Sequence, residues 1–167
     1  MNYLIGLLLS REGAPAEALA YAERIIKTFP EIPEGYLLKG ELLSELRLFD
    51  EAIAAYAVAL RRSTYEGRRP IYWKIGRAYF EQERYARAYR FLVRGIDILS
   101  PDASLEDLYT LSIAAVRAGK AKEAESLLVY LAEYRVPSDD DTWRQKIKAA
   151  LTPYLRGQKE SGKGGGT

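Results

Sequence analysis

Apolar side chains recur with helical spacing along most of the chain, and residues 72–92 show the pattern clearly. In the segment YWKIGRAYF, positions i, i+3, i+4 and i+7 carry Tyr72, Ile75, Gly76 and Tyr79. After a short polar break, the same spacing carries Tyr85, Ala88, Tyr89 and Leu92. This periodicity predicts two amphipathic helices joined by a short turn.

The same helix pair recurs along the chain. Gly76 is followed after 12, 16 and 19 residues by Ala88, Leu92 and Gly95. The same three offsets lead from Gly40 to Ala52, Tyr56 and Ala59, from Gly6 to Ala18, Ala22 and Ile25, and from Ser112 to Ala124, Leu128 and Leu131. The four registers are separated by 34, 36 and 36 residues. Small and apolar residues at fixed offsets define an internal repeat.

Gly76 lies in the middle of a predicted helix, where glycine costs about 1 kcal/mol relative to alanine. Small residues at Gly76 and Ala88 would let the two helix backbones of one repeat approach closely. We therefore predict a close helix crossing at Gly76, with packing that offsets the cost in helix propensity.

The spacing Tyr72-x-x-Ile75-Gly76-x-x-Tyr79, followed by Ala88-x-x-x-Leu92 and Pro101, resembles the tetratricopeptide repeat. The resemblance covers residues 2–137, although the outer repeats depart from the pattern at Asn2, Ser112 and Ala115. It implies an all-α tetratricopeptide-repeat α-solenoid of four helix-turn-helix repeats, stacked into a right-handed superhelix. The repeats are predicted at about 1–32, 33–66, 69–102 and 104–137.

One further helix is predicted after Pro137, at about 139–156. Residues 138–142 offer N-cap side chains and acidic groups that favour a helix start. Its apolar stripe consists of Trp143, Ile147, Ala150, Leu151 and Tyr154. We expect this helix to cap the repeat stack and Pro153 to end or kink it. The predicted repeat domain therefore spans 1–156, and residues 157–167 form a flexible polar tail.

The amino-terminal segment has an unusual pattern, because nearly every residue from Tyr3 to Leu9 is apolar. A helix over residues 2–10 would have no solvent-facing stripe. Three interpretations stay open: the chain is a fragment of a longer repeat array, the helix packs against a partner or a second copy, or the segment frays locally or is a processed leader. We therefore expect self-association through the apolar N-terminal helix. A secretory signal is disfavoured, since no Lys or Arg precedes the apolar run and no small-residue cleavage site follows it.

Composition narrows the chemistry of the 167-residue chain, which has no histidine and no cysteine. This excludes thiolate and imidazole nucleophiles, bases and metal ligands, and it leaves the compartment open, with the cytoplasm as the default. Residues 139–141 are three aspartates, which suit either a cation site or a solvated helix start, and we favour the helix start. Glu41 and Glu45 are the only suggestive carboxylate pair, and we interpret them as exposed helix decoration. We predict no enzyme, no metal and no cofactor.

Charge is concentrated in the third repeat although the net charge is only +2. Residues 61–94 contain 10 basic and 3 acidic side chains, a local excess of +7. The predicted basic patch on its second helix consists of Arg84, Arg87, Arg90 and Arg94. This patch fits either a solvated convex face or contact with an acidic partner protein. Nucleic acid is disfavoured as a partner because the whole chain is nearly neutral and contains no known nucleic-acid motif.

The resemblance to tetratricopeptide repeat proteins implies a scaffold or adaptor that binds a segment of another protein. In that family the first helix of each repeat lines the concave face. The corresponding outward positions here are Tyr3, Leu7, Leu37, Glu41, Trp73, Arg77, Phe80, Tyr109 and Ile113. The alternative role is a structural subunit of a larger assembly, or a piece of a longer repeat protein, with an acidic partner on the basic third repeat.

The chaperone-binding members of the family clamp a terminal carboxylate with Lys, Asn and Arg in this groove. Leu7, Leu37 and Trp73 stand at the lining positions here, so that clamp is not predicted. An apolar and aromatic lining suits an amphipathic helix or an extended apolar segment, with Arg77 available for one acidic group. The alternative is that these side chains only pack against neighbouring helices or are covered by the chain's own tail.

Overall fold

The computed structural model describes residues 15–137 and 140–161. Every regular element in these residues is helical. The α-helices are α1 (Pro15–Thr28), α2 (Pro33–Glu45), α3 (Phe49–Arg62), α4 (Arg68–Glu81), α5 (Tyr85–Gly95), α6 (Leu105–Arg117), α7 (Ala121–Tyr130) and α8 (Asp141–Ser161). One π-helical turn, Leu131–Arg135, continues α7. The predicted apolar helix over residues 2–10 lies outside the described residues.

The helices follow the predicted repeats. Helix α1 is the second helix of the first repeat, while α2 and α3 form repeat 2, α4 and α5 form repeat 3, and α6 and α7 form repeat 4. The chain divides into two compact units, with the boundary between Ile96 and Asp97. The continuous domain over residues 1–156 stays a prediction, and each unit is described by itself below.

Two clusters of buried side chains hold the first unit together. One joins α1 to α2 through Ala18, Ala22, Ile25, Leu38 and Leu42. The other joins α2, α3 and α4 through Leu43, Ala52, Tyr56, Ala59, Ile71 and Ile75. Most of these residues occupy the apolar positions of the sequence pattern, so burial of that stripe is what brings consecutive repeats together.

Gly76 marks a close helix crossing, as its position in the sequence predicted. A Cβ atom added at Gly76 would lie 2.7 Å from Cγ and 2.9 Å from the backbone nitrogen of Leu92 on α5. A real Cβ atom does not approach backbone this closely, so a larger residue would force α4 and α5 apart.

The turn inside each repeat has the same backbone in repeats 2, 3 and 4. Its central residue has a left-handed conformation, with φ of 60° at Arg47, 58° at Glu83 and 74° at Gly119. The next backbone N–H then donates to the carbonyl five residues earlier: Leu48 to Leu43 at 2.8 Å, Arg84 to Tyr79 at 2.9 Å and Lys120 to Ala115 at 2.9 Å. This is the Schellman type of helix end, and it reverses the chain so that the two helices can pack together.

Hydrogen bonds between side chains and backbone stabilise the helices and the loop of the second unit. The Ser104 hydroxyl accepts a hydrogen bond from the backbone N–H of Asp107 at 3.0 Å and thereby caps α6. Ser112, which stands in the register of the repeat glycines, is buried, and its hydroxyl donates to the Leu108 carbonyl at 2.8 Å. In the π-helical turn, Arg135 donates to the carbonyls of Ser100 at 3.0 Å, Pro101 at 3.2 Å and Ala103 at 2.6 Å. This arginine ties the loop before α6 to the end of α7.

Helix α8 starts as predicted and continues further than predicted. The backbone N–H of Trp143 donates to the Asp140 carboxylate at 3.1 Å, which is an N-cap. We predicted an end near residue 156 and a kink or stop at Pro153, but α8 reaches Ser161, so residues 157–161 are helical rather than tail. A proline removes one backbone hydrogen-bond donor. Helix α8 tolerates this loss, and its residues 144–146 and 148–149 are exposed to water.

Candidate protein-binding groove

A cavity of about 740 Å³ lies between the first helices of repeats 2 and 3. We call it the groove cavity. Its lining comes from α2, the following turn, α3 and α4, and consists of Glu41, Ser44, Glu45, Arg47, Phe49, Tyr56, Trp73, Lys74, Arg77, Ala78 and Glu81. The volume is in the range of small-molecule and peptide side-chain sites. Three of the predicted groove residues, Glu41, Trp73 and Arg77, lie together in this lining.

Trp73 forms an aromatic part of the cavity wall and is half-buried. Its backbone is held against α5, because a Cβ added at Gly95 would lie 2.7 Å from the Trp73 Cα. The guanidinium carbon of Arg77 lies 5.5 Å, and the Lys74 ammonium nitrogen 5.7 Å, from the centroid of an indole ring. These cation–π contacts help to hold the indole, so Trp73 is a pre-organised anchor for an apolar group.

An ion pair crosses the groove cavity from repeat 2 to repeat 3. It joins the Glu41 carboxylate on α2 to the Lys74 ammonium on α4, and the Glu41 side chain is only 13% exposed, so the interpretation of Glu41 as exposed helix decoration was wrong. Pairing in a partly desolvated site is stronger than on an open surface, and loss of either partner would leave the other charge poorly solvated. The pair therefore fixes the relative position of the two helices that form the cavity walls.

Tyr56 belongs to the lining of the groove cavity and is only 2% exposed. Its hydroxyl lies 3.4 Å from the Ser44 hydroxyl oxygen. Burial raises the pKa of Tyr56, while the Ser44 contact opposes that rise and the nearby Glu41 and Glu45 carboxylates add to it. Tyr56 is therefore a neutral hydrogen-bonding group at physiological pH.

The remaining predicted groove residues have other surroundings. Leu37 packs on the buried cluster around Tyr56, and the Phe80 ring meets the Tyr85 ring edge-on at 5.5 Å. In the second unit, Tyr109 meets Trp143 of α8 edge-on at 5.5 Å, while Ile113 is half-buried. Burial, followed by the charge of Glu106, raises the pKa of Tyr109. Tyr3 and Leu7 lie outside the described residues.

Several lining residues were not selected from the sequence. Arg47 lies in the turn within repeat 2, whereas Phe49 begins α3 and Glu81 ends α4. We selected groove residues only from one face of the first helix of each repeat, so the selection missed residues that reach the cavity from a turn. The left-handed conformation of Arg47 places it among them, and no sequence signal marks that conformation in a non-glycine residue.

The predicted basic patch lies on the exposed side of α5 and its N-terminal flank. Arg84, Arg87, Arg90 and Arg94 are all exposed, and they share no lining position with the groove cavity. Arg84 pairs with the Asp50 carboxylate at 3.1 Å. The patch is therefore a second surface of repeat 3, separate from the groove cavity.

Neither membrane insertion nor metal binding finds support in the described residues. None of their helices combines the length and apolarity needed to cross a bilayer. No group of three or more carboxylates in this part of the chain is arranged to hold a metal ion. Asp139, one of the three consecutive aspartates, lies outside the described residues.

Comparison with known proteins defines the class. A family model described as tetratricopeptide repeat matches residues 3–67. No curated protein matches the chain. Among solved structures, YrrB, a TPR protein with an unusual peptide-binding site, shares 16% identity at a TM-score of 0.75, over 92% of this chain and 76% of YrrB.

Two further structures show the same fold. MamA (41-end) from Desulfovibrio magneticus RS-1 is 16% identical at a TM-score of 0.75, over 92% of this chain and 83% of that one. A thermophilic TPR protein of Thermus thermophilus is 17% identical at a TM-score of 0.62, over 90% and 80%. The fold is thus the all-α solenoid of tetratricopeptide repeats. Residues 3–67 match the tetratricopeptide repeat family, as the sequence pattern predicted, and proteins of this class typically act as non-enzymatic interaction scaffolds.

Proposed function

We propose that the protein is an interaction scaffold or adaptor that binds a helical or extended apolar segment of a partner protein in the groove cavity. The observation that carries this proposal is the position of Trp73 in the wall of a 740 Å³ cavity between two first helices. A half-buried indole with a fixed backbone loses little conformational freedom when a ligand contacts it. Such aromatic anchors supply much of the affinity in protein interfaces.

The polar lining favours a partner segment with charged residues beside its apolar anchor. Exposed Glu45, Glu81 and Arg47 lie around the aromatic wall, so charges of both signs border the cavity. A purely apolar segment would desolvate these groups without compensation. An amphipathic helix satisfies both requirements, because its apolar face reaches Trp73 while its flanks carry charge.

The deciding experiment compares capture of proteins from a cell extract by immobilised parent chain and by Trp73→Ala. We expect Trp73→Ala to lose the captured partner, since truncation of a buried aromatic anchor typically costs more than about 2 kcal/mol of binding. Tyr65→Ala is the matched control, because Tyr65 is an aromatic residue that is 86% exposed and does not line the cavity. Circular dichroism checks that both variants keep the helix content of the parent.

Mass spectrometry of the captured proteins separates this function from the alternative. A protein lost with Trp73→Ala and retained with Tyr65→Ala is a groove partner. Retention of the same proteins by a folded Trp73→Ala variant would remove the groove cavity from the proposal. That result would favour a structural subunit whose contacts lie elsewhere on the chain.

A further inference from the structure

Repeat 3 carries a row of aromatic rings between its two helices. The Phe91 ring on α5 lies between Tyr79 and Tyr72 on α4, with ring centroids 5.5 Å and 6.2 Å apart. All three rings are half-buried. Arginine side chains lie over both ends of this row. We call the set of Tyr72, Tyr79, Phe91, Arg84, Arg87 and Arg94 the aromatic–arginine row.

The rings hold the arginines in place without neutralising their charge. The guanidinium carbon of Arg94 lies 4.3 Å from the centroid of the Tyr72 ring. Those of Arg84 and Arg87 lie 5.3 Å and 5.7 Å from the Tyr79 centroid. A guanidinium stacked on a ring keeps its in-plane N–H donors available for an oxyanion, and stacking reduces the entropy lost when it binds.

Two of the three arginines in the row, and the neighbouring Arg90, have no carboxylate partner among the described residues. Arg84 pairs with Asp50, whereas Arg87, Arg90 and Arg94 are exposed and form no ion pair within residues 15–137 and 140–161. The surrounding segment, residues 61–94, carries the +7 excess of a chain whose net charge is +2. The positive potential is therefore concentrated on this face of repeat 3.

The spacing of the arginines indicates the shape of the ligand. Arg87 and Arg94 are seven residues apart on α5, which is about 10 Å along a helix. They stack on different rings, so they form a row and do not converge on one phosphate group. A polyproline II segment has three residues per turn and rises about 3.1 Å per residue, so acidic side chains at every third position lie on one face about 9 Å apart and match this spacing.

We propose that the aromatic–arginine row is a docking site for an acidic segment of a partner protein, one that bears spaced Asp or Glu carboxylates. The site lies outside the groove cavity and does not depend on the function proposed for Trp73. Single-stranded nucleic acid fits less well, because bases bind by stacking on exposed aromatic faces. Here the rings are half-buried against one another and arginines lie over both tyrosines.

The chain offers a matched control for the arginine charge. Arg24 on α1 occupies the same repeat position as Arg94, because the registers place residues 24, 58 and 94 in line. Its guanidinium carbon also lies over a tyrosine ring, 4.7 Å from the centroid of Tyr21. Arg24 does not belong to the aromatic–arginine row. Arg24→Gln therefore removes one charge and one cation–π contact without affecting the proposed site.

The experiment measures binding of a fluorescein-labelled (Glu-Gly-Gly)₆ peptide to the full chain by fluorescence anisotropy. We expect saturable binding that weakens as salt rises, because exposed ion pairs are screened over about 10 Å at 0.1 M ionic strength. Arg87→Gln combined with Arg94→Gln should raise Kd about tenfold, through the loss of two exposed ion pairs. Arg24→Gln should leave Kd within about twofold. Circular dichroism and thermal melting verify the fold of each variant.

Two further probes of the parent chain keep the proposal falsifiable even if the double variant does not fold. A (Gln-Gly-Gly)₆ peptide should not bind, and a labelled U₁₈ oligonucleotide should bind more weakly than the glutamate peptide. Equal binding of the glutamine peptide, or an unchanged Kd in a folded double variant, would overturn the proposal. Tighter binding of the oligonucleotide would reassign the site to nucleic acid and would also overturn it.

Discussion

Repeats 2 and 3 share one backbone pattern but fill the space between their helices differently. In repeat 2, a Cβ added at Gly40 would meet the ring of Tyr56. In repeat 3, a Cβ at Gly76 would meet Leu92 and its backbone nitrogen, and one at Gly95 would meet the Trp73 backbone. A side-chain ring therefore separates the helices of repeat 2, whereas glycines bring those of repeat 3 into backbone contact.

Repeats 2 and 3 also differ in the side chains at equivalent positions away from the helix crossing. Between repeats 1 and 2, a cavity of about 500 Å³ has Leu43, Ala55 and Val58 among its lining residues. The residues 36 positions later are Tyr79, Phe91 and Arg94, and there the rings and guanidinium groups form the aromatic–arginine row. Equivalent positions of the two repeats thus carry aliphatic side chains in one case and aromatic and charged side chains in the other. The surface chemistry of a repeat can therefore change while its helix pairing is kept.

The largest expected effect comes from a substitution at the close helix crossing of repeat 3. Gly76→Leu should lower the free energy of unfolding by about 3 kcal/mol, because the new side chain has no space between α4 and the Leu92 backbone. Urea titration followed by circular dichroism measures the change. The control is Ala54→Leu on the exposed side of α3, which should stay within about 0.5 kcal/mol of the parent. Equal stabilities of Gly76→Leu and the parent would show that this crossing does not limit packing.

The second prediction tests the ring row itself. Phe91→Ala should lower the free energy of unfolding by about 2 kcal/mol, somewhat less than for a fully buried phenylalanine, because Phe91 is half-buried between Tyr72 and Tyr79. Phe91→Leu keeps most of the apolar volume and should lose less than about 1.5 kcal/mol. Similar losses for both variants would mean that the aromatic geometry at Phe91, rather than its volume, stabilises the repeat.

Much of the fold could be predicted because the repeat signature is itself a packing rule. Gly76, Ala88 and Leu92 were selected from their spacing alone. Ala88 and Leu92 are fully buried, and Gly76 leaves the space that Leu92 fills. The length of α8 was not predicted, since Pro153 is a helix breaker by local rules and nothing in its neighbours shows that the helix continues.

Less of the candidate site than of the fold could be predicted from the sequence. Glu41, Trp73 and Arg77 lie in one lining because first-helix positions share a face, and their role in binding a partner stays a prediction. Leu37 occupies an equivalent position but packs on the core, since the direction of a side chain depends on its neighbours as well as on its register. The stacking of Arg87 and Arg94 on tyrosines of the adjacent helix was also missed, because it needs the three-dimensional pairing of α4 with α5.

A smaller predicted effect is the pH dependence of stability, which differs between the two repeats. Burial raises the pKa of Tyr56 in repeat 2 above the ordinary value of about 10, whereas Leu92 at the equivalent position of repeat 3 does not titrate. The contribution of Tyr56 to stability is complete below pH of about 10 and is lost as pH rises from there through its higher folded-state pKa, because the unfolded chain releases this proton first. By pH 11 the parent should have lost about 1 kcal/mol relative to its value at pH 8, through this residue.

The measurement compares urea unfolding of the parent and Tyr56→Phe between pH 8 and pH 11. The stability difference between the two proteins should shrink over this range, since phenylalanine has no proton to release. Tyr65→Phe is the control, because it removes the hydroxyl of a tyrosine that is 86% exposed. A constant difference in stability between the parent and Tyr56→Phe would show that the Tyr56 hydroxyl has the same pKa in the folded and unfolded states.

The smallest predicted effect concerns the turns that both repeats share. Glu83 in repeat 3 adopts a φ of 58°, and the equivalent residue of repeat 4 is Gly119 with a φ of 74°. A non-glycine residue in this region carries a steric cost of about 1 kcal/mol, partly offset by the greater freedom of glycine in the unfolded chain. Glu83→Gly should therefore raise the free energy of unfolding by about 0.5 kcal/mol. Ala118→Gly, one residue before Gly119 and at a φ of −83°, introduces glycine without relieving strain and should lower that free energy by a similar amount. Thermal melts of both variants measure the contrast, and a Glu83→Gly variant that melts as low as Ala118→Gly would mean that the left-handed turn of repeat 3 carries no strain.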